Sequence, residues 1–531
     1  MTGMNHIAIL PILVPMAAMI ANLLLGDQRT SNRIIGLNVA FSIMLVLVSV
    51  LLFFVLVYAG QDAAAVYPLA DWPIPFSIVL VADRLSAVMV LTTSVLSLAA
   101  LVYATARWHS RGTNFFPLFH ALTMGLNGAF LTGDLFNLFV FFELLLAASY
   151  GLALHGGGRN RTRAAVHYIV VNLVASFLFL IGVALIYGTV GTLNMADIAR
   201  AAPLVDAENR GLFEAGAAVL GIAFLIKAGS WPLHFWLPNT YSAAAPPVAA
   251  MFAIMTKVGF YSILRLWTLV FANTAGPDFV FGQNVLLVLG VATVAYGSIG
   301  VLSCKSLDRL ASYLILVSAG TLLLAIALNI PQVTSGALYY FVVATLAAGA
   351  LFLLKDIIDQ ILPAEAQLLA VSLELYGDEE EAAEDDQEVS RTIPAAATLS
   401  AWCFAVAALV MAGLPPLSGF IAKFAMISAA LDTGETPVAA AWWFTAALIV
   451  SGLFVLIAMV RNGINIFWTS LPENGALRLR PREFAPIVVL LGLCVALAIA
   501  GGPAMAFFAE TAEFIHTPLG YIETVLPGDA P

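Results

Sequence analysis

The feature that most constrains this chain is a succession of apolar runs, most of them close to 20 residues long, separated by short clusters of charge, glycine and proline. They fall at 6–25, 34–59, 78–106, 115–132, 135–155, 164–188, 212–230, 246–271, 281–303, 308–329, 335–361, 394–413 continuing to 431, 440–466 and 482–508. A run of that length spans the hydrocarbon of a bilayer as a helix. Inside lipid only helices and closed barrels satisfy their own backbone groups. The runs do not alternate apolar and polar residues, which excludes a barrel. The chain therefore reads as an all-α polytopic membrane protein of about fourteen transmembrane helices. With 61% hydrophobic and only 10% charged residues over 531 positions, a water-soluble enzyme is excluded. The first stretch, Ile7–Leu25, is too long for a signal-peptide core and lacks a basic leader, so it is expected to be retained.

Basic residues set the orientation. The odd-numbered connections hold Arg29, Arg33, Arg107, Arg111, Arg159, Arg161, Arg163, Lys305, Arg309, Arg391, Arg461, Arg478, Arg480 and Arg482. The even-numbered ones hold only Arg84, Arg200, Arg210 and Arg265. This bias places the odd connections in the cytoplasm and both termini outside. It also supports the helix count, since one miscounted span would scramble the asymmetry beyond it. One segment departs from the rest. Between Leu362 and Thr392 stand ten carboxylates, equal in number to the whole excess of acids over bases. A run this acidic is expected to be a solvated cytoplasmic loop.

Nothing points to nucleophilic or cofactor chemistry. Cys304, Cys403 and Cys494 are too few and too scattered for a disulfide framework or a thiolate metal site. Phosphate-loop, His-Glu-x-x-His and dinucleotide fingerprints are missing from the sequence, and Gly156-Gly157-Gly158 reads as a turn. No cofactor is expected, and a stand-alone enzyme is the weakest reading.

The informative residues are lysines. Of five, Lys305 lies in a connection, whereas Lys227, Lys257, Lys355 and Lys423 lie within apolar runs. A cation inside the bilayer is costly, so such residues face the protein interior and mark ion or proton pathways. Lysine matters here because a buried ammonium can give up its proton, whereas a guanidinium stays charged. Lys227 is followed at once by Gly229, Ser230, Trp231, Pro232 and then Pro238, which marks a broken helix of the kind that forms transporter ion sites. Lys423 follows a second such break, Gly413-Leu414-Pro415-Pro416-Leu417-Ser418-Gly419-Phe420. Lys257 stands eleven residues past Pro246, about 16 Å along a helix and so near mid-bilayer. Lys355 has Asp356 beside it and Asp359 at i+4, so it reads either as a locally paired, snorkelling lysine or as a relay member.

Glu143 stands alone in Leu135–Leu154. Ionised, it needs a cation from another helix, and an interior lysine is the candidate; protonated, it would hydrogen-bond two helices together. Asp134, at the mouth of the same helix, reads as a helix-start residue. His234, just past the first break, is either a proton relay or a buried hydrogen-bonded histidine. The two broken spans are the seventh and twelfth. An offset of five reverses membrane direction, as inverted repeats require, which gives repeats of spans four to eight and nine to thirteen. The expected divisions are an N-terminal three-helix segment at 1–110, a first repeat at 111–275, a second at 276–466 containing the acidic loop 362–392, and a C-terminal helix and tail at 467–531.

These residues resemble a family. Gly133-Asp134-Leu135-Phe136-Asn137-Leu138-Phe139-Val140-Phe141-Phe142-Glu143, the segment from Lys227 to Pro238, Ala244-Ala245-Pro246-Pro247 with Lys257, and Gly413–Phe420 with Lys423 are similar to the antiporter-like subunits shared by respiratory complex I and Mrp-type (Pha) multisubunit cation/proton antiporters, and most of all to the D-type subunit of the latter. The resemblance implies a fourteen-helix fold with two inverted five-helix repeats, membership of a hetero-oligomer, and exchange of cytoplasmic Na⁺ or K⁺ for external protons. It implies that Glu143 tunes Lys227, and that Lys257 passes the proton along a hydrated mid-membrane axis towards Lys423. Val343 and Ala348 stand where relatives carry a histidine and a lysine, so the middle of the relay is left to waters, His234 or Lys355. The alternatives are a proton-pumping subunit of complex I or of a membrane-bound hydrogenase, using the same relay with redox energy, and a non-transporting scaffold.

Overall fold

A computed structural model describes residues 6–26, 31–60, 64–72, 77–271, 282–361, 395–432, 438–467 and 480–526. The acidic loop 362–392 lies outside the described residues, as do Arg29, Arg391 and Arg478.

The apolar runs become helix over most of their length, because a backbone taken out of water has to bond to itself. In chain order the helices are α1 (Leu10–Leu25), α2 (Asn32–Ala59), α3 (Arg84–Arg107), α4 (Phe115–Leu131), α5 (Leu135–Ala153), α6 (Arg159–Val190), the short α7 (Met195–Ala201), α8 (Ala207–Ala228), α9 (Leu237–Ala243) and α10 (Pro246–Leu266). They continue as α11 (Gln283–Ser303), α12 (Leu307–Leu328), α13 (Pro331–Ile361), α14 (Ala395–Ala412), α15 (Ser418–Asp432), α16 (Val438–Phe467), α17 (Pro481–Ile499), α18 (Gly501–Ile515) and α19 (Pro518–Val525). Twelve helices among the described residues are long and apolar enough to cross a membrane. The shorter α1 and α4 occupy the two remaining runs of the fourteen expected.

The structure adjusts the sequence reading at several points. The run at 78–106 is not helical throughout. Val79–Ala82 (β2) pairs antiparallel with Ala65–Pro68 (β1), and α3 begins only at Arg84. Asp83 fixes that start, its carboxylate accepting from the Ser86 amide while Ser86 Oγ accepts from the Asp83 amide. The run at 482–508 divides at Ala500 into α17 and α18, and α19 follows. Asp134 is the N-cap of α5, accepting from the Asn137 amide, as its position implies.

Helices α10 and α13 are enclosed along their membrane-spanning windows, and α12 nearly so; α2, α6 and α16 keep broad apolar faces outward. Lys257 and Arg265 of α10 therefore sit in the middle of the molecule, whereas Asp308, Lys355 and Asp359 lie at helix ends and keep part of their surface exposed. A buried proline leaves its mark nearby. Pro15 has no amide to give the Pro11 carbonyl, and Asn127 of α4 donates to that carbonyl instead, at 2.8 Å. Asn22, Asn38 and His120 form a second buried polar cluster, tying α1, α2 and α4 through side-chain hydrogen bonds of 2.8–2.9 Å.

Candidate functional site: buried amines at two broken helices

Both breaks are built the same way. Helix α8 ends in Gly229 at φ +70°, with the Gly229 and Ser230 amides turned back onto the Ile226 and Leu225 carbonyls. Helix α14 ends in Gly413 at φ +77°, with the Gly413 and Leu414 amides turned back onto Val410 and Leu409. Glycine is needed at both because that region strains any residue with a Cβ. Side chains also bond to backbone groups at the first break. Trp236 Nε1 donates to Ile226 O at 3.2 Å, and the Trp231 amide donates to Thr293 Oγ1 at 2.9 Å.

Lys227 is in the last turn of α8, buried, and its Nζ makes no hydrogen bond among the described residues. It lies 4.7 Å from the centroid of the Phe142 ring. An ammonium over an aromatic face is held electrostatically, more strongly where water is shut out. Glu143, the next residue on α5, is half-buried and acts on Lys227 through space. The expected glutamate–lysine pair is thus an electrostatic neighbourhood rather than a hydrogen-bonded ion pair. The hydrogen-bond partner of Glu143 is Ser176 of α6, whose hydroxyl donates to Oε1.

Lys257, in mid-α10, is 2% exposed and donates to Ser318 Oγ of α12 at 2.5 Å. Lys423, in the first turn and a half of α15, donates to Ala412 O, the last carbonyl of α14, at 2.9 Å. A helix C-terminus carries partial negative charge and suits a cation. The lysine stem passes where Gly413 would carry a Cβ, 2.6 Å from Cδ, and Nζ lies 3.3 Å from the corresponding position at Gly452. Lys227, Lys257 and Lys423 have no carboxylate within 4.0 Å among the described residues.

His234 and Lys355 stand apart. His234 is buried beside Tyr296, ring centroids 4.2 Å apart, with Nδ1 lacking a hydrogen-bond partner among the described residues. Lys355 pairs with Asp359 at 2.6 Å and lies 4.0 Å from Asp308. Asp356, although adjacent, serves a different group. Its Oδ2 accepts from Tyr103 at 2.7 Å, Arg107 at 2.5 Å and Trp108 at 2.9 Å. This binds α13 to α3, and Glu483 of α17 joins at 3.6 Å from Arg107.

Sequence reasoning missed Ser176, Ser318 and the Ala412 carbonyl. The two serines carry no motif, and a carbonyl carries no sequence identity at all. It also missed the buried pair of Arg265 with Asp83, 2.6 Å apart, which holds the far end of α10. No group of His, Cys, Asp and Glu that could hold a metal ion occurs among the described residues. The arrangement is a set of separately buried amines, one over a phenyl face, one on a serine hydroxyl and one on a helix-terminal carbonyl.

Known proteins share both sequence and fold. The family model described as NADH:quinone oxidoreductase/Mrp antiporter, transmembrane, matches residues 132–454. The chain is 49% identical to the D-type subunit of a probable K(+)/H(+) antiporter of Rhizobium meliloti, over 98% of each chain. It is 35% identical to the D-type subunit of the Na(+)/H(+) antiporter of Alkalihalophilus pseudofirmus, over 98% of this chain and 100% of that one. Among solved structures, a chain of the Mrp complex from Dietzia sp. superposes with a TM-score of 0.80 at 27% identity, covering 99% of this chain and 100% of that one. A chain of respiratory complex I from Thermus thermophilus, at 24% identity and a TM-score of 0.73 over 96% and 99%, shares the fold.

Proposed function

The chain belongs to the NADH:quinone oxidoreductase/Mrp antiporter family, and from that premise we propose that it is the proton-translocating D-type subunit of a hetero-oligomeric monovalent cation/proton antiporter. The observation that carries the mechanism is the burial of Lys227, Lys257 and Lys423, each with no carboxylate within 4.0 Å among the described residues. Charged amines are expensive to keep in a membrane interior, and those that occur there mark ion or proton pathways.

Lys227 holds a proton while Glu143 is near and ionised. Movement of Glu143, or loss of its charge, frees that proton towards Lys257 and then Lys423. One pKa unit corresponds to about 1.4 kcal/mol. A membrane potential supplies about 2.3 kcal/mol per charge per 100 mV, so a swing of one or two units is within reach. His234 and Lys355 are subsidiary: the first has an unsatisfied ring nitrogen near the break, the second a local ion pair. The arginine asymmetry supports a plasma-membrane orientation with both termini outside. The matching left-handed glycines at Gly229 and Gly413 support two inverted repeats, 111–275 and 276–466, between an N-terminal segment 1–110 and a C-terminal one 467–531.

Replacing Glu143 or Lys227 with Ala is expected to abolish Na⁺- or K⁺-dependent proton exchange in vesicles while the complex still assembles. Unchanged exchange would reject the relay. Co-purification with small antiporter subunits, rather than with flavin and iron–sulfur proteins, separates this function from a redox-driven pump.

A further inference from the structure

Helix α16 turns an apolar stripe outward. Val450, Leu453, Ile457, Val460 and Ile464 are 47–52% exposed and recur every three or four residues, so they share one face over about 21 Å. Towards the C-terminal end, Leu456, Ile457, Val460 and Ile464 line a trough of about 390 Å³ together with Arg461 and Asn465. The stripe carries no glycine, alanine or serine, the small residues that let a second helix approach closely in a membrane. Branched side chains with a trough between them suit a flexible hydrocarbon chain.

Charge singles out this trough. Arg461 is exposed, and its Nη2 donates to the carbonyls of Leu302 at 2.6 Å and Cys304 at 2.9 Å, at the C-terminal end of α11. The guanidinium is thereby pinned beside the trough, while Nε and Nη1 make no hydrogen bond among the described residues. Arg309 is exposed as well, and both arginines act electrostatically on the Cys304 thiol, which gathers them round one point. Lys305, also exposed, adjoins Cys304 in the chain. Asp308, an acid acting on the same thiol, lies 4.0 Å from Lys355. These bases belong to connections that the arginine asymmetry places in the cytoplasm, at the level of lipid headgroups. A guanidinium with donors to spare binds phosphate in fork geometry, and basic clusters beside cytoplasmic helix ends select anionic lipids.

We propose that this trough seats one anionic phospholipid. Its phosphate lies against Arg461 and Arg309, and an acyl chain runs from there past Val460, Ile457 and Leu453 towards mid-membrane. The headgroup supplies acceptors for the spare guanidinium donors, and the chain covers the stripe. The site does not depend on the antiport function proposed above.

The test uses the assembled complex in phosphatidylcholine vesicles containing a minor fraction of phosphatidylglycerol. Each lipid is supplied in turn with a photoreactive diazirine on its acyl chain, and labelled peptides are quantified by mass spectrometry. Labelling of 450–464 by the phosphatidylglycerol probe is expected to exceed that by the phosphatidylcholine probe roughly fivefold or more at equal probe concentration. The outer half of α2, where Leu47, Leu51 and Phe54 face outward, is expected to take both probes equally. Arg461→Gln combined with Arg309→Gln is expected to bring the ratio at 450–464 close to one while labelling of α2 stays unchanged. Arg461→Lys, which keeps the charge, is expected to retain the excess. Equal labelling of 450–464 in the unaltered chain, an equal excess on α2, or an excess that survives the double change overturns the site. Absence of labelling by both probes also overturns it, since another subunit then covers α16.

Discussion

Gly452→Ala tests the proposed relay's far end without replacing a charged group. Gly452 lies on α16, and a methyl there would sit 3.3 Å from Lys423 Nζ and 3.0 Å from Ala412 O, the two atoms of one hydrogen bond. Both gaps are tighter than ordinary van der Waals contact, so the ammonium or the carbonyl has to yield. Retreat is restricted, because the lysine stem already fills the space beside Gly413. A hydrogen bond to a charged group is worth about 1.5–3 kcal/mol. Because 1.4 kcal/mol is tenfold, displacing this one is expected to slow cation-dependent proton exchange roughly 10- to 100-fold. The assay is fluorescence-reported collapse of a pH gradient in everted vesicles on addition of Na⁺ or K⁺, normalised to complex content. Gly492→Ala, where nothing lies within 4 Å of the added methyl, is the control and is expected to run at the wild-type rate. If Gly452→Ala matches it, the Lys423–Ala412 contact has no part in transport.

Other outcomes follow from neighbouring contacts. Ser176→Ala removes the donor to Glu143, and proton exchange measured across pH is expected to fall several-fold with a displaced pH profile; an unmoved profile would leave Ser176 a packing residue only. Gly259→Ala would press a methyl to 2.6 Å from the Ala228 amide nitrogen and 2.9 Å from Phe224 O, where backbone cannot yield cheaply. Wedging α10 from α8 in this way is expected to cost about 1–3 kcal/mol and to lower the thermal midpoint of the purified complex. Asp356→Ala strips three donors of their acceptor and leaves Arg107 with Glu483 at 3.6 Å, and a loss of about 3 kcal/mol, seen as a lower midpoint, is expected. His516 is held neutral by burial, its pKa pushed down from 6.5 to about 4, while Nε2 meets Thr334 Oγ1 at 2.9 Å. A base with a depressed folded pKa favours folding above 6.5, and that contribution, at most about 3 kcal/mol, fades as pH falls from 6.5 towards 4. In His516→Asn the acid-side decline in melting temperature is expected to shrink over that window.

The legible part of the molecule is the part written in single residues whose cost is local. An amine in an apolar run is expensive wherever the chain goes, so Lys227, Lys257 and Lys423 stand out before any fold is known. The same holds for Gly229 and Gly413, whose neighbours include prolines that cannot continue a helix. Lys355 was readable for the same reason, since Asp359 is its i+4 neighbour and the pair forms on one helix face. Asp356 was not. Its sequence neighbour is Lys355, yet its side chain faces Arg107, Tyr103 and Trp108, residues some 250 positions earlier. Glu143 lies between these cases. Its isolation was visible, but its hydrogen bond to Ser176 depends on how α5 meets α6.

Local chemistry therefore determined the membrane class, the runs that become helices, the two breaks and the buried amines proposed to carry function, because desolvation and backbone satisfaction act on each segment wherever it ends up. Packing alone decided what each amine touches: a phenyl face for Lys227, a serine hydroxyl for Lys257, a helix-terminal carbonyl for Lys423. Those partners come from other helices, and in a tightly packed interior a contact of 3 Å is fixed by the joint fit of several helices, which no single stretch of chain encodes.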